Sequence, residues 1–240
     1  MIPILDMTRF RHGDTDAFVA AVGEACRGTG FFGITGHGIS PELRERAFAM
    51  SRAFFALDQA SKNSLSIARS PHNRGYSTIG EESLDEHGGV RDSKEAFNIG
   101  LDLAPDDPRV LRGEPFRGVN VWPDLPGFRE TMLEYYDAVW ALGRLLHMAL
   151  ARDLGIAPEF FEPHLDQPLA TLRLLRYPPA TGAAREIGAG AHTDYGSITL
   201  LATDGVPGLQ VKPREGDWID MPGVPDGYVV NIGDGLMRWS

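Results

Sequence analysis

Hydrophobic residues recur at two different periods along this chain. Up to about residue 166 they mostly fall three and four apart, the spacing of one helical face. After Gln167 they gather in short runs separated by turn residues. Ile2 to Leu5 predicts a short strand. Asp14 or Thr15 is a candidate cap for a helix whose Phe18, Val19, Val22 and Cys26 share a face, with Gly28 or Gly30 ending it. Phe31 to Thr35, apolar and bounded by glycines, reads as a strand, and Gly36-His37-Gly38 as a turn. Ser40-Pro41 starts another helix, with Leu43, Ala47, Met50, Phe54 and Leu57 as its core-facing stripe.

From 61 to 118 the chain turns polar and rich in Gly, Pro and charge. Two strand-like pieces sit inside it, Arg74-Gly75-Tyr76 and Lys94-Glu95-Ala96-Phe97-Asn98-Ile99. Trp122-Pro123 then leads into the longest predicted helix, about 126 to 154. Phe128, Met132, Tyr135, Tyr136, Val139, Leu142, Leu145, Leu146 and Ala149 mark its broad apolar face, and Gly155 stops it. Candidate strands follow near 170–177, 187–193, 197–203, 208–212, 217–219 and 227–232. Six short strands after a helical half predict an α+β chain with a mainly β core. The expected core is a double-stranded β-helix, or jelly roll, flanked by N-terminal helices. The division expected is one unit, 1–240, made of an N-terminal region 1–118, a long supporting helix 119–166 and the sheet core 167–240.

Composition narrows the class. A 240-residue chain that is 42% hydrophobic can bury a sizeable core, and 23% charged residues are ordinary for a globular protein. The net charge of −10 argues against nucleic acid or an anionic membrane as partner and says little about a small-molecule substrate, since a few local arginines can make a positive pocket in an acidic protein. Nothing in the pattern fixes an oligomeric state. Cys26 is the single cysteine, so no intrachain disulfide forms. Asp6, Arg9 and Arg11 interrupt the N-terminus where a signal peptide would be apolar, and no run approaches the roughly 20 apolar residues that span a bilayer. These readings point to a cytoplasmic protein.

The candidate chemistry lies in Gly188-Ala189-Gly190-Ala191-His192-Thr193-Asp194-Tyr195-Gly196-Ser197-Ile198-Thr199-Leu200-Leu201. Read as extended chain at the mouth of a sheet, it projects His192 and Asp194 to the same side, since side chains two apart on a strand share a face. A neutral imidazole and a carboxylate aimed at one point suit a divalent metal such as iron. A surface histidine beside a turn aspartate is the plain alternative for a lone His-x-Asp.

The segment resembles the iron-binding stretch of the isopenicillin N synthase-like family of Fe(II)- and 2-oxoglutarate-dependent dioxygenases. The likeness extends to Arg173-Leu174-Leu175-Arg176-Tyr177-Pro178-Pro179 before it, and to Gly208-Leu209-Gln210-Val211 and Val229-Val230-Asn231-Ile232-Gly233-Asp234 after it. At the N-terminus, Ile2-Pro3-Ile4-Leu5-Asp6 and Gly30-Phe31-Phe32-Gly33-Ile34-Thr35-Gly36-His37-Gly38-Ile39 also fit. The resemblance implies an oxidoreductase that binds Fe(II), 2-oxoglutarate and O2, with ascorbate as a further candidate cofactor, and oxidises a small organic molecule. It implies His192 and Asp194 as metal ligands and Tyr177 as a contact to 2-oxoglutarate.

Arg173 shares the strand face of Tyr177. Two readings stand for it, a carboxylate of substrate or cosubstrate, or an acidic neighbour at the barrel rim. Leu175 stands where many plant relatives carry Asn, so that cosubstrate contact is expected to be absent. No residue is singled out as a catalytic acid or base.

The family also places a second histidine and an Arg-x-Ser pair beyond the His-x-Asp. No His follows His192 in this chain. The expectation is therefore a core incomplete at its C-terminal edge, weak iron binding and little turnover. The alternatives are an iron-dependent oxidase that does not use 2-oxoglutarate, as isopenicillin N synthase itself, and a non-catalytic metabolite-binding remnant. Other histidines read as structural or as loop residues: His37 and His147 structural, His72, His87 and His164 in loops, with Asp85-Glu86-His87 a solvated charge run. Tyr76 and Phe97 are candidates either for the pocket wall or for the core.

Overall fold

Residues 2–82, 92–180, 187–213 and 216–240 are described by the computed structural model. The Asp85-Glu86-His87 run lies outside them. The strands are β1 (Ile4–Asp6), β2 (Phe31–Thr35), β3 (Gly75–Ser77), β4 (Glu95–Ile99), β5 (Leu172–Arg176), β6 (Ile198–Leu201), β7 (Gln210–Val211), β8 (Ile219–Asp220) and β9 (Tyr228–Ile232). The helices are α1 (Thr8–Arg11), α2 (Asp16–Gly28), α3 (Pro41–Phe55), α4 (Gln59–Ser64), α5 (Pro108–Leu111), α6 (Phe128–Asp153), α7 (Glu162–Leu165) and α8 (Asp234–Trp239). Among the described residues no helix is long and apolar enough to cross a membrane.

The chain forms two compact units, each discontinuous in sequence. One holds Met1–Glu42, Asp137–Asp166 and Thr193–Ser240, the other Leu43–Tyr136 and Gln167–His192.

In the first unit a four-stranded sheet runs in the order β1-β2-β9-β6, with β1 and β2 parallel and the other pairs antiparallel. Phe32, Ile34, Tyr228 and Val230 are buried in it, and Phe18, Val22, Leu142 and Leu146 supply buried helical faces. β7 and β8 form a separate antiparallel pair. The turn after β2 is fixed by chemistry at both ends. Gly36 has φ +63, and a Cβ there would lie 2.2 Å from Asp6 Oδ1, so only glycine fits. His37 is buried; its Nε2 lies 2.6 Å from the Asp226 carbonyl, and its Nδ1 accepts the Ile39 amide at 3.1 Å. The ring is thus a turn support, as expected.

The second unit is built on the antiparallel sheet β3-β4-β5. One face of it carries Tyr76, Phe97 and Leu174 into a cluster with Phe54, Phe55, Ile99, Phe128 and Met132. The Phe54 and Phe97 rings meet at 4.4 Å, and Phe128 stands edge-on to Phe97. Tyr76 and Phe97 are therefore core residues. Glu95, 1% exposed, sits among these aromatics and accepts from Lys62 Nζ at 2.7 Å, Tyr76 Oη at 2.6 Å and Arg176 Nη1 at 2.5 Å.

Three expectations need correction. The 187–193 stretch is not a strand: no strand is described between β5 and β6. Its glycines leave few side chains to pack on a sheet, and its fixed backbone bonds go elsewhere, from Ser93 N to Ile187 O and from Gly190 N to Asp92 Oδ1. Thr15 precedes α2 but does not cap it, because its αR backbone holds the hydroxyl away from the free amides. That oxygen instead accepts from Arg152 Nη1 at 2.8 Å. His164 lies in the short helix α7 and not in a loop.

The end of α6 is as read. Gly155 has φ +70, Ile156 N donates to Ala151 O, and the last carbonyls are satisfied by that left-handed turn. His147 is buried in the same helix, with Nδ1 2.7 Å from Gly143 O and Nε2 2.8 Å from Ser197 Oγ. Burial holds its pKa below the usual range, so the ring is neutral and structural.

Candidate metal centre

His192 closes the second unit and is exposed. Its Nδ1 lies 2.8 Å from the Gly190 carbonyl. A carbonyl only accepts, so Nδ1 carries a proton, and in the neutral form of the ring Nε2 is then the acceptor nitrogen. This is the tautomer a metal-binding imidazole uses, its other nitrogen held by a backbone oxygen. Gly190 is itself buried and held through its N–H by Asp92 Oδ1 at 3.0 Å.

Asp194 belongs to the first unit and is half-buried. Asn231 Nδ2, from β9, donates to its Oδ2 at 2.9 Å, and its backbone carbonyl accepts the Asp234 amide at 2.8 Å. Thr193 Oγ1 donates to Asp234 Oδ2 at 2.9 Å. The Asn231 amide orients the carboxylate from outside, as a supporting group does for a metal-binding carboxylate. Among the described residues no three His, Cys, Asp or Glu side chains gather as a metal site. The donor chemistry of this pair, one neutral imidazole and one carboxylate, fits Fe(II).

Tyr177 and Arg173 lie in the second unit. The register of β4 and β5 sets Asn98 opposite Arg173 and Glu95 opposite Arg176, so the two arginines leave opposite faces of the sheet. Arg173 Nη2 donates to Glu82 Oε1 at 2.7 Å, and Nη1 to Asn98 Oδ1 at 3.3 Å. Pairing with an acidic neighbour is thus the contact Arg173 makes here. Burial acts to raise the Glu82 pKa, but the hydrogen bond and charge of Arg173, with Lys94, outweigh it and leave the carboxyl below its usual range. The Tyr177 ring is half exposed and packs on Gly188, where a Cβ would come within 3.1 Å of its Cδ1. Burial pushes the phenol pKa up, so the hydroxyl is a donor at neutral pH.

Two family models cover the chain: "non-haem dioxygenase in morphine synthesis N-terminal" over residues 2–125, and "2OG-Fe(II) oxygenase superfamily" over residues 160–240. The chain belongs to the 2OG-Fe(II) oxygenase superfamily. It is 38% identical to a 2-oxoglutarate-Fe(II) type oxidoreductase of Aspergillus fumigatus, covering 99% of this chain and 73% of that protein. It is 40% identical to the 2-oxoglutarate-Fe(II) type oxidoreductase hxnY of Emericella nidulans, over 99% of this chain and 71% of that one. A full-length Neurospora crassa protein, crystallised in complex with alpha-KG and thymine, matches all of this chain and 76% of its own at a TM-score of 0.84 and 33% identity.

As a 2OG-Fe(II) oxygenase the protein is a non-haem iron oxidoreductase whose cofactors are Fe(II), 2-oxoglutarate and O2. Its mixed helices and sheets agree with those of its structural relatives. The residues that sequence reasoning missed are the supports: Asn231 on Asp194, Asp92 on Gly190, and Glu82 on Arg173. Asn231 stood in a quoted motif without a role. Asp92 and Glu82 carried no local signal.

Proposed function

We propose that His192 and Asp194 are protein ligands of the Fe(II), and that Tyr177 and Arg173 face the 2-oxoglutarate carboxylates, in an enzyme that oxidises a small organic molecule. The observation that carries this reading is the tautomer of His192, fixed by Gly190 O so that Nε2 presents a lone pair. Bound iron with 2-oxoglutarate and O2 supplies the oxidising power for a substrate C–H bond; the chain's own residues bind, orient and exclude water. Tyr177, protonated at neutral pH, donates to a carboxylate oxygen. Arg173 already grips one carboxylate, that of Glu82, and a cosubstrate carboxylate would displace it. The small-molecule class follows from the relatives; one of them, the Neurospora crassa protein, is seen with thymine.

The test is binding and turnover measured together. His192→Ala and Asp194→Ala each remove Co(II) binding followed by calorimetry, and with it any succinate release from 2-oxoglutarate. Tyr177→Phe raises the apparent KM for 2-oxoglutarate and leaves metal binding intact. Glu82→Gln, which frees the Arg173 guanidinium, lowers that KM. Wild-type Co(II) affinity in His192→Ala would overturn the ligand assignment, and an unchanged KM in both Tyr177→Phe and Arg173→Ala would overturn the cosubstrate assignment.

A further inference from the structure

The segment that carries His192 has no strand ladder, yet it is pinned at two points. Ser93 N donates to Ile187 O at 2.9 Å, and Asp92 Oδ1 accepts from Gly190 N at 3.0 Å. Both contacts reach the same pair of residues, 92 and 93. Asp92 is 1% exposed and Lys94 5%. Lys94 Nζ binds Asp92 Oδ2 at 2.6 Å and stands 3.6 Å from Glu82 Oε2. The backbone of Asp92 is tied in turn, its amide to Glu82 O and its carbonyl to Gly80 N.

A buried carboxylate needs a cation beside it to stay charged, and Lys94 Nζ supplies one at Asp92 Oδ2. A charged acceptor makes the Gly190 bond shorter and stronger than a neutral one would. Gly190 then does two things at once. Its N–H is held from below by Asp92, and its carbonyl accepts the Nδ1 proton of His192.

We propose that Asp92, with its charge held by Lys94, is the positioning residue of the metal site: by fixing Gly190 it sets the ring orientation and tautomer of His192. The inference rests on the reading of His192 as a ligand, and concerns only how that ring is held. A carboxylate that supports a ligating histidine from outside the coordination sphere typically alters metal affinity about 10–100-fold when it is lost.

The experiment reads the ring with and without metal. In the metal-free chain the ring 15N shifts of His192 report which nitrogen is protonated. Wild type is expected to show the Nδ1–H form alone. Asp92→Asn keeps an oxygen that can accept from Gly190, and should retain that form. Asp92→Ala should give averaged shifts and a Co(II) affinity about 10-fold weaker or more, by calorimetry. Because Asp92→Ala strands a buried lysine and can fail to fold, the double variant Asp92→Leu, Lys94→Met removes acceptor and cation together and should show the same two changes. Gly155→Ala, at the far helix end, controls for general loss of stability and should leave both readouts unchanged.

A wild-type ring in the Nε2–H form, or fixed shifts with Co(II) affinity within twofold of wild type in the double variant, would overturn the positioning role. Unaltered Co(II) binding in His192→Ala would instead overturn the ligand assignment, and the metal-free ring shifts would still decide the positioning role separately.

Discussion

Replacing Glu95 by glutamine tests the most consequential buried charge in the second unit. Glu95 receives three hydrogen bonds, from Lys62, Tyr76 and Arg176, and the Lys62 ammonium also donates to the Phe55 carbonyl at 3.3 Å. Glu95→Gln keeps the shape and removes the charge, leaving an ammonium at 5% exposure without its counter-ion. Breaking one side of a buried pair costs about 3–5 kcal/mol. Arg176, whose side chain is 46% exposed, adds little, because water replaces its partner. For a chain of this size each kcal/mol lowers Tm by about 2–4 °C, so a fall of roughly 6–20 °C is expected.

The pH dependence has a definite sign. Burial acts to raise the Glu95 pKa, but the bonds from Lys62, Tyr76 and Arg176 outweigh it and leave the carboxyl below 4.5. Its contribution is therefore complete above the ordinary value and is lost as pH falls through the depressed one. Urea unfolding, followed through Trp122 where it meets Phe128, should show the full difference between wild type and Glu95→Gln at pH 7 and a smaller one near pH 3. Adding Lys62→Met should restore much of the loss, since it removes the unpaired buried ammonium. A difference under about 1 kcal/mol at pH 7, or one that grows on acidification, would refute the reasoning.

Other expectations follow from single contacts. Gly155→Ala places a Cβ in the left-handed region at the end of α6 and should cost about 1–2 kcal/mol, read as a Tm loss of a few degrees; no loss would mean the turn rearranges. Burial, with Asp153 nearby, pushes the Cys26 thiol up to about 11, so it should resist a thiol reagent at pH 8 until the protein is unfolded; rapid labelling of the native chain would contradict this. Asn231→Ala removes the donor to Asp194 Oδ2 and should weaken Co(II) binding about 10-fold, without the loss of the His192 ring signature expected for Asp92→Ala; unchanged Co(II) affinity would show that Asn231 does not orient the carboxylate.

The helices were the most legible part of the sequence. α2, α3 and α6 have long apolar stripes, and their ends carry strong local marks such as Pro41 and Gly155. β2 also stood out, because an apolar run bounded by glycines leaves few alternatives. The 187–193 stretch misled for a physical reason. Glycine-rich sequence permits extended chain without demanding it, and what fixed this segment was a carboxylate 98 positions earlier in the chain. The proposed ligands, His192 and Asp194, were picked out by a family likeness, not by period or composition. Its supports were not readable at all, since Asp92, Glu82 and Asn231 meet their partners only once the sheets have formed.

The first unit places β9 between β2 and β6, and Phe31 pairs with Asn231. A ribosome adding about 5–20 residues per second needs on the order of 10–40 s to make the stretch between them. Throughout that interval α2 can already pack on β1 and β2, but the edge of β2 that will meet β9 has no strand to pair with. Until β9 is made, that open edge is where another strand or a chaperone would bind. Asn231, which also holds Asp194, arrives only with β9, 200 positions after Phe31.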